Sequence, residues 1–288
     1  MMSSASVRSG HVWTTLAFSV FSLALLIVLR LVLIVPILRK QAGLKVEQKP
    51  RKRSEDERIK VAVFLGSGGH TAEMLKLVSA LDPVRYTERV YFVSHGDQFS
   101  TRKAYELETS IIADREPNIK TESQRGKANA DSSHSSLASS RHRVVVEELP
   151  RARRVHQSFA TTPLSAAHCL IVCIEHVLLR PIVAYWRNGP RRRRPSPQSG
   201  VPSEEIRKDD IFADLLLLNG PGTCVPLVLA VYIRKMLGLH SPHMMYVESF
   251  ARVRSLSLSA KLLRGLVDTF VVQWPEASPG AQCRGWLV

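Results

Sequence analysis

The sequence predicts an α/β protein: a Rossmann-like parallel sheet behind one N-terminal transmembrane helix. Three observations carry that prediction. Val12 to Leu29 is an 18-residue stretch without a charge. Beyond a polar linker, short β-branched runs alternate with helical ones. Two of those runs, in "VFLGSGGHT" and "LLLNGPGT", pass directly into glycine turns, the punctuation expected where a parallel strand feeds a crossover helix.

The N-terminal stretch comes first. At 1.5 Å per residue, 18 residues cover about 27 Å, close to the hydrocarbon thickness of a bilayer. Arg30 interrupts the run before "LVLIVPIL" extends it to Leu38, so either Arg30 snorkels to the interface or the helix tilts and continues. A cleaved signal peptide fits less well, because the apolar region is long and no small-x-small site precedes the basic stretch. Only Arg8 lies before the span. Arg39, Lys40, Lys45, Lys49, Arg51, Lys52 and Arg53 follow it. The positive-inside rule therefore puts residues 1–11 in a lumen or outside, 12–38 in the membrane, and the basic linker 39–58 and everything after it in the cytosol. That linker adheres to anionic lipid at about 1 kcal/mol per basic residue, which accounts for much of the net charge of +15 without nucleic acid.

Residues 59–276 form the predicted domain. Strands are expected at 59–65, 89–94, 143–149, 214–218, 244–249 and 269–274, several of them apolar on both faces as parallel strands must be. Met74, Leu75, Val78 and Leu81 make one apolar helical stripe, and later helices are expected at 225–238 and 257–268. The polar, serine-rich stretch 114–142 and the arginine-bearing 188–210 read as mobile insertions, since neither buries enough apolar surface to order itself. Between them 161–186 is mostly apolar. Glu175, His168, His176 and Pro181 argue against a second span and for a buried or membrane-facing helix, with both histidines structural. Residues 277–288 are a tail.

The chemistry concentrates at the glycine turns. Gly66, Ser67, Gly68 and Gly69 follow a strand and precede a helix, so backbone amides and the positive end of the helix dipole converge on one concavity that favours an anion. A dinucleotide fingerprint needs glycine or alanine where Thr71 stands and an acid where Ser94 and His95 stand, and a phosphate-binding lysine is missing. Nicotinamide and ATP are disfavoured, and no cofactor is expected. Gly220 and Gly222 repeat the design, with Thr223 as a candidate helix cap. Both turns should open on the same edge of the sheet and together suit a diphosphate or sugar diphosphate. Cys169, Cys173, Cys224 and Cys283 have no metal-binding or disulfide spacing, and no metal is expected. The arginine run at 191–194 lacks aromatic interleaving, so no nucleic acid is expected.

Six ordered motifs, "FLGSGGHTAEM", "YFVSHGD", "VEELPRARRVHQSF", "LLLNGPGTCVP", "YVESFARVRSLSLSAKLL" and "VDTFVVQWPE", closely resemble the membrane-anchoring subunit of the two-subunit UDP-N-acetylglucosamine transferase of the dolichol pathway. The resemblance implies the amino-terminal half of a GT-B glycosyltransferase. It also implies a soluble catalytic partner carrying the UDP-N-acetylglucosamine site, a dolichyl-diphosphate-N-acetylglucosamine acceptor that receives the second N-acetylglucosamine, and residence in the endoplasmic reticulum or contiguous nuclear-envelope membrane.

On that footing the amides of Gly66 to Gly69 are expected to hold the acceptor diphosphate with help from the Thr71 hydroxyl. His70 would accept the acceptor proton or bond a phosphate, and Glu73 would complement the helix dipole. Glu248 and Ser249 would contact the sugar or cap the next helix, with Asn219 and Thr223 as further candidates. The tail departs from the family pattern, and its apolar close, Trp286, Leu287 and Val288, is the candidate docking point for the soluble partner. A ligand-free tethered scaffold and a stand-alone transferase are the alternatives. The latter needs two Rossmann-like halves, and six strands fill one.

Overall fold

Strands that read as continuous apolar runs are strands covered on both faces, and "VAVFL" is such a run: Val61 to Leu65 are all fully buried. The computed structural model of the protein describes residues 4–43, 58–125, 143–153, 157–158, 160–188, 211–285 and 287. It comprises two compact units, Met1–Arg51 and Lys52–Val288.

The first unit is helical. Helix α1 runs Ser4–Ile34 and α2 runs Pro36–Gln41. The part from Trp13 to Ile34, 22 residues and about 33 Å by helical rise, is long and apolar enough to cross a membrane. Trp13, Phe18, Phe21, Leu25 and Leu29 are exposed around it, an all-round apolar surface that suits lipid rather than a protein core. The helix continues through Arg30, and Pro36 begins α2, where a missing N–H costs nothing.

In the second unit the elements follow as β1 (Lys60–Leu65), α3 (Gly69–Ser79), β2 (Glu88–Ser94), α4 (Gln98–Arg125), β3 (Arg143–Leu149), α5 (Thr162–Ile174), a π-helical turn (Glu175–Leu179), α6 (Arg180–Asn188), β4 (Leu215–Leu218), α7 (Cys224–Met236), β5 (His243–Val247), α8 (Leu258–Leu263), β6 (Thr269–Val272) and β7 (Gln282–Cys283). All seven strands are parallel, in the order β3-β2-β1-β4-β5-β6-β7. The chain winds outward from β1 to β3, then returns to pair β4 against β1, with Val61 opposite Leu215 and Val63 opposite Leu217. The order reverses between β1 and β4, the kind of switch point at whose carboxyl ends ligands bind in open α/β sheets.

Period-2 alternation divides the core. Val61, Val63, Leu65, Tyr91, Val93 and Leu217 face Met74 and Val78 of α3 and Ala104 of α4, with Leu75 and Leu81 packed at the margin, so the helical stripe read from the sequence is the buried one. On the other face Phe92 meets His176 edge-on at 5.8 Å and Phe212 at 5.9 Å. Arg89 and Tyr91 carry polar groups into the first face. The Arg89 guanidinium, 0% exposed, is 3.1 Å from both Glu108 carboxylate oxygens, and the Tyr91 hydroxyl donates to the same carboxylate. Burial and the adjacent Glu108 charge push the Tyr91 phenol well above its usual range.

Three features went unread in the sequence. The segment 161–186 is not a uniform helix: it widens into a π turn just before Pro181, which has no N–H to return to Val177. Arg234 of α7 satisfies that carbonyl instead, with Nη1 2.8 Å from Val177 O. The tail adds a seventh strand, Gln282–Cys283, beside β6. Helix α4 extends to Arg125, into the stretch read as the first insertion; 126–142 and 189–210 lie outside the described residues. The inner side of α5–α6 buries Cys169, Cys173, Val177 and Leu178, while Leu164, Ile171, Leu179, Val183 and Trp186 stand exposed on its outer side.

Candidate functional site

Both glycine turns lie where the strand order reverses. The β1 turn is Gly66 to Gly68, and α3 begins at Gly69; the β4 turn is Asn219 to Thr223, and α7 begins at Cys224. Local chemistry explains each corner. Gly68 has φ +63° and is the N-cap of α3, so no side chain competes for the first helical amides. A Cβ added at Gly68, Gly69 or Gly222 would meet nothing within 4 Å. These three positions open to solvent, with Ser67 exposed beside them.

Gly66 and Gly220 are glycine for a different reason. A Cβ on Gly66 would sit 2.7 Å from His70 Cβ and 2.9 Å from Pro221 Cδ, and one on Gly220 would sit 2.4 Å from His70 Nδ1 and Cε1. Gly220 also has φ +80°. The His70 imidazole occupies the space the missing Gly220 side chain leaves, and the His70 Cβ and Pro221 fill the space beside Gly66. Five glycines read alike in the sequence thus divide into three that leave backbone open, one that admits the imidazole and one that lets the two turns approach.

Beneath the ring runs a hydrogen-bonded chain. His70 Nδ1 is 2.7 Å from Asn219 Oδ1. Asn219 Nδ2 donates to Glu73 Oε2 at 2.8 Å. Glu73 Oε1 accepts from Ser249 Oγ at 2.9 Å and from Phe250 N at 3.2 Å. His70, Asn219 and Ser249, candidates from three separate motifs, are therefore joined through Glu73, which the sequence reading had confined to the helix dipole. One signal could have found it: residues three apart on a helix share a face, and His70 and Glu73 are three apart.

The remaining candidates are placed as follows. Thr71 is buried, and its hydroxyl turns inward, donating to the Gly66 carbonyl and lying 2.6 Å from Ser100 Oγ. It stitches the turn to α4 rather than assisting an anion on the open side. Thr223 holds the N-cap position of α7 but makes no side-chain cap; its Oγ1 accepts from Ala152 N at 3.2 Å, tying down the chain beyond β3. Glu248 is 1% exposed. Its Oε1 accepts from Ser249 N at 3.0 Å, and its Oε2 from Ser257 N and Oγ at 2.9 and 3.0 Å. Ser257 in turn caps α8 through Ala260 N at 3.1 Å. The carboxylate holds the loop that positions Ser249 and Phe250. Tyr246 lies under the second turn, 3.4 Å from the Gly220 carbonyl; burial foremost raises its phenol, which stays a neutral donor. Leu287 N donates to Gln273 Oε1 at 3.3 Å, while Trp286 and Val288 lie outside the described residues.

A cavity of about 200 Å3 lies elsewhere, near the amino ends of the strands, lined by Lys60, Glu88, Arg143, Glu147 and Arg180 among others. Three of its charged groups are committed internally: Arg180 Nη1 bonds both Glu147 oxygens at 2.9 Å, and Lys60 Nζ donates to Ile211 O at 3.0 Å. The carboxyl edge, with its open amides and seated imidazole, is the better candidate.

A family model described as "Oligosaccharide biosynthesis protein Alg14 like" matches residues 61–286. Similar proteins named UDP-N-acetylglucosamine transferase subunit ALG14 occur in Cryptococcus neoformans, 39% identical over 92% of this chain and 91% of that one, and in Schizosaccharomyces pombe, 36% identical over 74% and 75%. The human protein of that name is 31% identical over 76% and 77%. Among solved structures, a crystal structure of MurG from Acinetobacter baumannii aligns with a TM-score of 0.39 and 9% identity, over 77% of this chain and 44% of that one.

Proposed function

The chain belongs to the Alg14-like family of oligosaccharide biosynthesis proteins, and from that premise we propose that it is the membrane-anchoring, acceptor-side subunit of a UDP-N-acetylglucosamine transferase. In this reading it adds the second N-acetylglucosamine to dolichyl-diphosphate-N-acetylglucosamine together with a soluble catalytic partner. The partner supplies the other half of a GT-B enzyme and brings UDP-N-acetylglucosamine. The observation that carries the reading is the pair of glycine turns at the β1/β4 reversal, open at Gly68, Gly69 and Gly222, with an imidazole seated between them. Open amides at a helix start suit a diphosphate, and an imidazole at the same corner suits a hydroxyl that must lose a proton.

The anchor belongs to the same logic. A lipid-linked acceptor is confined to the membrane, and a span at Trp13–Ile34 would tether the domain to the same membrane and so raise the effective concentration of one for the other. The exposed outer side of α5–α6, ending in Trp186 at 76% exposure, faces lipid in this reading. The basic linker keeps the domain on the cytosolic side of the endoplasmic reticulum or nuclear-envelope membrane.

The test is transfer by the reconstituted pair from UDP-N-acetylglucosamine to a short-chain polyprenyl-diphosphate-N-acetylglucosamine. His70→Ala is expected to lower kcat about 100-fold, the low end of general-base effects. Gly68→Val puts a β-branched residue at φ +63° and a side chain over the open amides, and is expected to raise acceptor KM at least tenfold. Unchanged turnover in both variants removes the site. Docking is tested separately by pulldown. Deleting residues 286–288 is expected to weaken capture of the soluble partner at least tenfold, and undiminished capture puts the interface elsewhere.

A further inference from the structure

We propose that Glu73 is a positioning residue for this transfer: acting through Asn219, it fixes the tautomer of His70 so that Nε2 presents a bare lone pair. The inference rests on the reading that His70 takes the acceptor's proton.

The ionised Glu73 carboxylate is the one member of the His70–Asn219–Glu73–Ser249 run that can only accept. Its Oε1 is committed to Ser249 Oγ and Phe250 N, and its Oε2 to Asn219. An acceptor 2.8 Å away forces Asn219 to turn its NH2 toward Glu73. The flipped amide would bring two lone-pair-bearing oxygens together in a buried setting, since Asn219 is fully buried. With the NH2 so placed, Oδ1 points at His70 Nδ1 at 2.7 Å. An oxygen there requires a donor, so in the neutral ring Nδ1 carries the proton and Nε2 does not. The order is imposed from one end: charge sets amide, and amide sets ring.

The ring has little freedom to escape it. A Cβ at Gly220 would overlap Nδ1 and Cε1, and one at Gly66 would overlap the His70 Cβ, so the ring lies hard against the second turn and its stem against the first. Ser249 and Phe250 anchor the carboxylate from a third loop, which Glu248 closes through Ser257. Three segments 149 and 177 residues apart along the chain converge on this orientation.

The chemistry balances. An acceptor hydroxyl oxygen forms a bond to the anomeric carbon of the nucleotide sugar. The bond from that carbon to the diphosphate oxygen breaks, and its electron pair leaves on UDP. The hydroxyl proton passes to His70 Nε2, giving an imidazolium whose Nδ1–H already rests on Asn219 Oδ1, and solvent takes the proton afterwards. Glu73 touches no reactant.

Glu73→Gln tests the relay. The new Oε1 keeps the bonds from Ser249 and Phe250, leaving an NH2 facing Asn219. The asparagine amide then flips, and His70 must accept at Nδ1 and carry its proton on Nε2. Nitrogen-15 labelling of histidine in the full chain, reconstituted with its partner in nanodiscs, reads the protonated ring nitrogen, with His70→Gln assigning the signals. Neutral wild-type His70 is expected to be protonated at Nδ1 and Glu73→Gln at Nε2. The variant's kcat is expected to fall about 100-fold with acceptor KM within twofold. A bare Nδ1 in the wild type overturns the proposal and needs no variant to fold. If His70→Ala loses turnover but Glu73→Gln keeps both tautomer and kcat, the relay alone is overturned. Full turnover in His70→Ala overturns the base reading and the catalytic role of Glu73 with it.

Discussion

Gly220→Ala is expected to lower kcat of the reconstituted pair at least 100-fold, although it adds a single methyl group. That methyl would lie 2.4 Å from two atoms of the His70 ring, well inside contact distance, and the backbone beneath it has φ +80°, where a side chain costs about 1–2 kcal/mol. The ring cannot remain. Moving it breaks the 2.7 Å contact with Asn219 and removes the imidazole from the corner where the acceptor hydroxyl is proposed to lie. If the methyl acts through the ring, its effect is strongly non-additive with His70→Ala: in that background Gly220→Ala costs less than threefold further. Steady-state kinetics on the four members of this cycle decide it. A Gly220→Ala enzyme within threefold of wild type would mean the imidazole is not seated where the structure has it.

Glu108→Ala should have the largest effect on stability, about 3–5 kcal/mol, because it strands a guanidinium in the core. Arg89 is fully buried, and its Nε and Nη2 have no partner among the described residues, so the two bonds to Glu108 carry its compensation. Removing the carboxylate leaves a charge with neither water nor counter-ion. Domains of this size commonly have only about 5–15 kcal/mol in all. The expected readout is a thermal midpoint lowered by roughly 10 °C. Replacing all three bonded groups with apolar ones, Arg89→Met and Tyr91→Phe with Glu108→Leu, should recover most of that loss, because the penalty belongs to the stranded polar groups rather than to a missing attraction. A Glu108→Ala midpoint within 2 °C of wild type, a limit set by the roughly 2–4 °C expected per kcal/mol, refutes the account.

These two sites mark the boundary of what could be read in advance. Arg89 stands in "ERVYFVS", which is recognisable as a strand because its apolar residues dominate, yet nothing in the run reveals that its arginine points inward to Glu108, 19 residues on. Gly220 stands in "LNGPG", recognisable as a turn because glycine tolerates positive φ. That the turn must also leave room for an imidazole from 150 residues earlier is a fact about where β1 and β4 lie, side by side. Thr71 is a third case. Sequence position put it beside the anion site, but this helical residue three places past the turn points back into the protein, where its hydroxyl bonds Gly66 and Ser100.

By itself the sequence determined the features that depend on local pattern: an apolar N-terminal helix, six strands of the sheet, the helix stripe of Met74 and Val78, and glycine at the two corners. Each follows from near-neighbour physics, since burial on both strand faces, helical periodicity and positive φ leave their mark within a few residues. Only the tertiary structure decided which glycines stay open and which shelter His70, how Glu73 reaches Asn219 and Ser249, that Arg234 completes the π turn, and that Gln282 and Cys283 add an edge strand. Those outcomes depend on groups brought together by folding from distant parts of the chain, and such proximity has no local period to betray it.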